Sequence, residues 1–190
     1  MARANANRVR IIGGAWRRRL IRFPAAEGLR PTPDRVRETL FNWLGQHLSG
    51  WRCLDLYAGT GALSLEAASR GAALAVAVDR SRALMEALRA TGRELGAAAL
   101  ETHAADVSAY LATERRKFDL VFADPPYVDD PWSWLLPACV ERLAPGGFVY
   151  AEAGHALAPP AGLSCWRRDR AGLVHYHLFA APRHETPTPC

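Results

Sequence analysis

The chain has 190 residues, 49% of them hydrophobic, and a formal charge of +5 from 24 basic against 19 acidic side chains. That length and apolar content fit a single soluble domain with a sizeable core, and no apolar run approaches the roughly 20 residues needed to cross a bilayer. Cys53, Cys139, Cys165 and Cys190 have no zinc spacing, so no metal is expected, and the absence of a signal-peptide core predicts a cytoplasmic protein with reduced thiols.

The amino-terminal end carries the cationic charge. Residues 1–37 hold ten arginines against Glu27 and Asp34, a net of +8, which leaves the other 153 residues at −3 of the total +5. Arg8-Val9-Arg10-Ile11-Ile12 and Arg17-Arg18-Arg19-Leu20-Ile21-Arg22-Phe23 flank Gly13-Gly14-Ala15-Trp16, the pattern of a β-hairpin. Arginines alternating with aliphatics place guanidinium groups on one face, suited to phosphate and to stacking on bases. Arg8, Arg10, Arg17, Arg18, Arg19 and Arg22 are therefore candidate RNA-binding residues, with Arg30 beyond them. The single lysine, Lys117, shows that part of the arginine bias is compositional.

A helix follows, with Thr32 as the expected N-cap and Pro33 at the first helical position. Val36, Leu40, Trp43, Leu44 and Leu48 recur at helical spacing as its buried stripe. Arg37 and Asn42 fall off that stripe, which leaves them for solvent, a cofactor or RNA, with a surface salt bridge as the plainer role for Arg37.

The short apolar run 53–56 leads into Asp55-Leu56-Tyr57-Ala58-Gly59-Thr60-Gly61 and then a helix over Ala62–Ser69. Strand, glycine turn and helix make a nucleotide-type cofactor loop. It departs from the dinucleotide fingerprint, because Ser64 replaces the third glycine and an acid stands four residues before the first. A pyrophosphate would be repelled by Asp55, whereas S-adenosylmethionine presents an ammonium and a sulfonium. Asp79 ends a second strand, 74–78, where a carboxylate can take both ribose hydroxyls, and Asp106 ends a third segment, where it can accept from the adenine amino group. Each could also simply cap the helix that follows it.

Helices are expected over Arg82–Leu95, 107–115 and 132–143, with strands between them. Gly146-Gly147 turns into a strand over 148–152, and strands over 164–168 and 173–180 close the chain around Ala171-Gly172. The alternation predicts a mostly parallel sheet covered on both faces, with ligands at the carboxyl ends of its strands. The apolar run Phe118–Ala123 ends there in Asp124-Pro125-Pro126-Tyr127. This grouping suits alkylation of an exocyclic amino group, whose lone pair is delocalised into the base. The Asp124 carboxylate and the Pro125 carbonyl can accept its two N–H bonds, proline's fixed φ setting where that carbonyl points. Tyr127 offers a stacking face. Strand termination by the prolines and helix capping by the acid is the plainer role.

Together, Arg-Pro-Thr near position 30, Arg37-Glu38 before Leu-Phe-Asn, the 55–61 loop, Phe118-Asp119-Leu120-Val121-Phe122 leading into Asp124-Pro-Pro-Tyr, and Gly172-Leu-Val-His-Tyr176 resemble the bacterial RsmD family. The resemblance runs from about Arg8 to Phe179. It implies a Rossmann-like class I methyltransferase, α/β with a seven-stranded mostly parallel sheet and a small N-terminal β-hairpin extension. The domain boundaries expected are 1–29 for the hairpin extension, 30–181 for the methyltransferase and 182–190 for a disordered tail. The family transfers a methyl group from S-adenosyl-L-methionine to N2 of one guanine, position 966, of 16S ribosomal RNA. By resemblance Asp55, Tyr57, Gly59, Thr60, Gly61, Asp79, Arg80, Asp106 and Val107 bind cofactor, residues 124–127 hold the guanine amino group, and the arginine hairpin with Arg30 and Arg37 grips RNA of the small subunit. A monomer is expected, with no DNA or membrane partner. Asp79 stands where the family usually has glutamate, Tyr57 and Thr60 where it has Phe and Ser, and Thr91 where asparagine is common. Adenine N6, another RNA guanine or a protein glutamine would be alternative acceptors, and a non-catalytic RNA-binding assembly factor is the reading from another class.

Overall fold

The structure is a computed structural model that describes residues 8–24 and 32–181. The chain divides into two compact units, Met1–Glu114 and Arg115–Cys190. Their strands include a seven-stranded, mostly parallel sheet with helices, a Rossmann-like α/β fold, and a separate two-stranded hairpin is present.

In the first unit the hairpin strands are β1 (Arg8–Arg10) and β2 (Leu20–Arg22), antiparallel with Arg8 opposite Arg22 and Val9 opposite Ile21. The alternation works as predicted: Val9 and Ile21 are buried, and Arg8, Arg10 and Arg22 are exposed. Val9, Ile11, Ile21 and Phe23 pack in one cluster with Ala62, Leu65, Leu84 and Leu88, so the hairpin shares the core of its unit.

Helix α1 (Asp34–Leu44) leads to β3 (Arg52–Leu56), α2 (Ala62–Ser69), β4 (Leu74–Asp79), α3 (Arg82–Leu95), β5 (Leu100–Ala104) and α4 (Val107–Thr113). The strands run parallel in the order β5-β4-β3, which places their carboxyl ends together. Pro33, not Thr32, is the N-cap of α1, without a side-chain hydrogen bond. The Thr32 carbonyl instead accepts from Arg37 Nε at 3.2 Å.

Arg37 is a correction to the sequence reading. It is 0% exposed, and its guanidinium reaches Glu66 of α2 at 3.1 Å and Asp34. It is therefore withdrawn from solvent and from RNA. Glu66, itself buried, also binds Arg70 at 3.2 Å and accepts from the backbone N–H groups of Ile12 and Gly13 in the hairpin loop. Burial pushes the Glu66 carboxyl above its ordinary range, while the Ile12 N–H and the two guanidiniums pull it back. The loop is further tied to Ser69, whose carbonyl accepts from Ala15 N–H at 2.7 Å and whose hydroxyl donates to the Gly13 carbonyl. Gly14, at φ +74°, allows this approach, because a Cβ there would lie 1.9 Å from the Ser69 oxygen.

The second unit contains β6 (Phe118–Ala123), α5 (Trp132–Val140), β7 (Leu143–Ala153), β8 (Ser164–Ala171) and β9 (Val174–Ala180). Strand β6 pairs parallel with β7, while β7, β9 and β8 are antiparallel neighbours in that order. Helices α4 and α5 end two and three residues before their predicted limits. In α4 the chain turns extended at Glu114, and after α5 it enters β7 at Leu143. Strand β7 begins earlier than predicted because Leu143 already pairs with Phe118, the register shifting before Phe148 meets Leu120.

Candidate functional site

In the first unit the segment after β3 is built from left-handed residues: Tyr57 at φ +62°, Gly59 at +53° and Gly61 at +74°. Gly61 is the N-cap of α2, and a Cβ on it would lie 2.3 Å from a Leu88 methyl. The non-glycine Tyr57 is the informative outlier. Such a conformation costs on the order of 1–3 kcal/mol and persists where its surroundings enforce it, often at ligand sites.

Two carboxylates enforce it here. Asp55, buried in β3, accepts from the Ser64 N–H at 3.0 Å and from the Ser64 hydroxyl, which closes the loop onto the first turn of α2. Asp79, the last residue of β4, accepts from Gly59 N–H at 2.9 Å and Ser81 N–H at 2.8 Å. Its own carbonyl accepts from Ala105 N–H at 3.0 Å, so the ends of β3, β4 and β5 are joined by hydrogen bonds. Asp106 follows, exposed, and caps α4 through Oδ1 alone, which receives Ser108 N–H and Oγ–H and Ala109 N–H. The Ser108 hydroxyl, with the Ala109 N–H next, holds its carboxyl below the ordinary aspartate value. Helix capping and ligand binding are thus compatible roles, because a carboxylate offers about four lone-pair positions and Oδ2 of Asp106 has no partner among the described residues. Thr60 and Val107 are buried beside these groups, and Arg80 is exposed next to Asp79. A loop half-buried at Tyr57 and Gly59, flanked by three carboxylates, fits a ligand carrying hydroxyls and cationic groups.

In the second unit Asp124 leaves the carboxyl end of β6 half-buried, Pro125 is buried, and the Tyr127 side chain is 48% exposed. The Pro126 carbonyl accepts from Asp129 N–H at 3.0 Å, which closes the turn. Beneath it, Tyr150 of β7 stands opposite Phe122 and donates its hydroxyl to the buried Glu152 at 2.8 Å. The Tyr150 phenol is pushed well up by burial, then by the charges of Glu152 and Asp124. Sequence reasoning missed this pair, although Glu152, like Asp79, was legible as a carboxylate near a strand's end.

Arg17, Arg18 and Arg19 are exposed on the hairpin loop, joining Arg8, Arg10 and Arg22. Arg30 and the 182–190 tail lie outside the described residues.

Residues 9–180 match the family model described as conserved hypothetical protein 95. The ribosomal RNA small subunit methyltransferase D of Escherichia coli strain K12 is 37% identical over 185 residues, covering 93% of this chain and 91% of that protein. The solved structure of yhhF from Escherichia coli superposes with a TM-score of 0.83 at 37% identity, over 93% of this chain and 99% of that one. At the level of fold alone, SMU.776, solved in complex with SAH, matches at 18% identity with a TM-score of 0.68, over 84% of this chain and 52% of that one. The fold is that of the S-adenosylmethionine-dependent methyltransferases.

Proposed function

Because the chain belongs to the RsmD family, whose model is described as conserved hypothetical protein 95, we propose that it methylates small-subunit ribosomal RNA, at the exocyclic N2 amino group of one guanine of 16S RNA. The observation that carries the acceptor assignment is the motif 124–127, where a carboxylate, a conformationally fixed carbonyl and a half-exposed aromatic ring stand together at the end of β6.

S-adenosylmethionine, when bound, supplies the methyl group as a sulfonium electrophile. Asp55, Asp79, Asp106 and the 57–61 loop, with Thr60, Arg80 and Val107, are the residues to hold it. Asp124 and the Pro125 carbonyl accept the two N–H bonds of the guanine amino group, which favours a pyramidal nitrogen with its lone pair directed outward. Tyr127 stacks on the base. As the nitrogen gains its methyl group it becomes cationic and acidic, and the Asp124 carboxylate stabilises it and helps it lose a proton. The hairpin arginines hold the RNA backbone. The enzyme acts as a cytoplasmic monomer on RNA within the small subunit.

The test is methyl transfer from labelled S-adenosylmethionine to undermethylated small subunits, their naked RNA and DNA, with the modified nucleoside identified by mass spectrometry. N2-methylguanine in the ribosomal RNA is expected, and Asp124→Ala should abolish it with cofactor affinity nearly intact. Methyl groups on adenine or on DNA would overturn the acceptor, and full activity of Asp124→Ala would overturn the role of that residue.

A further inference from the structure

Strand β8 has a sequence, Ser-Cys-Trp-Arg-Arg-Asp-Arg-Ala, that is exposed along nearly its whole length. Among the described residues it is the last strand of its sheet, paired with β9 alone. Arg168 stands opposite His177 and Arg170 opposite His175, so those four side chains share one face, and Asp169 points to the other, where it accepts from the Tyr176 hydroxyl at 2.9 Å. Arg168 has no hydrogen bond or ion pair with any described residue, and Arg167 and Arg170 bind only backbone carbonyls. On the Asp169 face Trp166 stacks on Phe148 at 5.0 Å, with the Arg167 guanidinium 5.3 Å from its ring, which leaves Arg168 and Arg170 on the face with His175 and His177.

This face continues to the acceptor motif. The segment after β7 lies over it, the Leu157 N–H donating to His177 Nε2 at 3.2 Å. Burial holds the His177 imidazole below its ordinary value, and His175, Arg168 and His155 add to the lowering against the Ala151 carbonyl. The same segment carries Gly154, where a Cβ would stand 4.0 Å from Cγ of Tyr127, and His155, whose Nε2 is 3.9 Å from Asp130 just beyond the motif.

We propose that the face of β8 bearing Arg168 and Arg170, joined through Gly154 and His155 to Tyr127, is a second RNA-binding surface that holds the backbone flanking the target base. Charge complementarity selects this occupant: the Arg168 and Arg170 guanidiniums have no carboxylate partner among the described residues and lie on the side where an RNA base is to stack. The inference rests on the proposed RNA methylation. Charge on an edge strand also blocks sheet-to-sheet association, and the experiment separates the two roles.

Binding of small-subunit RNA by fluorescence anisotropy over a salt series needs no turnover. With Arg168→Gln and Arg170→Gln together, the slope of log K against log salt should fall by about 0.7–0.9 for every phosphate that is no longer neutralised, and KM for the RNA substrate should rise with kcat and cofactor affinity unchanged. Arg168→Lys with Arg170→Lys keeps the charge and should restore most of the slope. Unchanged slope and KM in a glutamine variant that melts like the parent would overturn the proposal, as would self-association with an unchanged slope. Failure of the parent protein to methylate ribosomal RNA, with the slope still falling in the variant, would count against the proposed reaction and leave the binding surface standing.

Discussion

Arg37 and Arg17 are the same side chain in opposite surroundings. Arg37 is fully buried against Glu66 and Asp34, and removing it leaves the Glu66 carboxylate in the core with Arg70 as its one remaining guanidinium. Loss of one partner from a buried pair costs about 3–5 kcal/mol, and the second arginine places this case toward the lower end. At roughly 2–4 °C per kcal/mol for a chain of this size, Arg37→Ala should lower the melting temperature by about 6–12 °C. Arg17→Ala, at an exposed position, should change stability by no more than about 0.5 kcal/mol while weakening RNA binding. Calorimetric melting of both variants checks this, and equal shifts would contradict the assignment of Arg37 to the core. The burial of Arg37 was not legible in sequence, because its partner lies 29 residues away and the helical stripe of α1 alone puts it outside.

At the scale of elements, α4 shows how one acid serves two ends. Asp106 caps it through Oδ1, and its carboxyl sits below the ordinary value of 3.8, mainly through the Ser108 hydroxyl. A depressed folded value means that this contribution is complete above 3.8 and is lost as pH falls through the lower folded value. The melting difference between the parent and Asp106→Ala should therefore be constant near neutrality and shrink only below that value; a difference that grows with acidity would reverse the sign. The limits of α2, α3 and β6 were legible because they are set locally, by apolar runs between glycine, proline and capping residues. The end of α5 and the start of β7 were not, since pairing of Leu143 with Phe118, on the distant strand β6, decides them. The same division holds in the site. The glycines and strand-end acids could be read directly, whereas the Tyr150–Glu152 pair and the edge position of β8 depend on which strands become neighbours.

Over the whole molecule the charge is uneven, +8 within residues 1–37 and −3 in the rest, and the fold gives that asymmetry a direction. The hairpin is anchored by Val9 and Ile21 below and by Glu66 and Ser69 at its loop, so Arg8, Arg10 and Arg22 are held facing outward by a shared core. Reversing these three to glutamate should leave the core intact and reduce the salt slope of RNA binding by about 0.7–0.9 for each phosphate left without its arginine, hence by about 2–3 in all. A change in net charge alone would also weaken binding through the overall field. Arg82→Glu on α3, an exposed residue outside the hairpin strands whose present partner is Glu86, alters charge without touching the hairpin arginines and serves as the control, with little change in slope expected. Anisotropy titrations from low to moderate salt compare the two. If the control lowers the slope as much per charge as the hairpin variant does, the arginines act through net charge and not as a binding face.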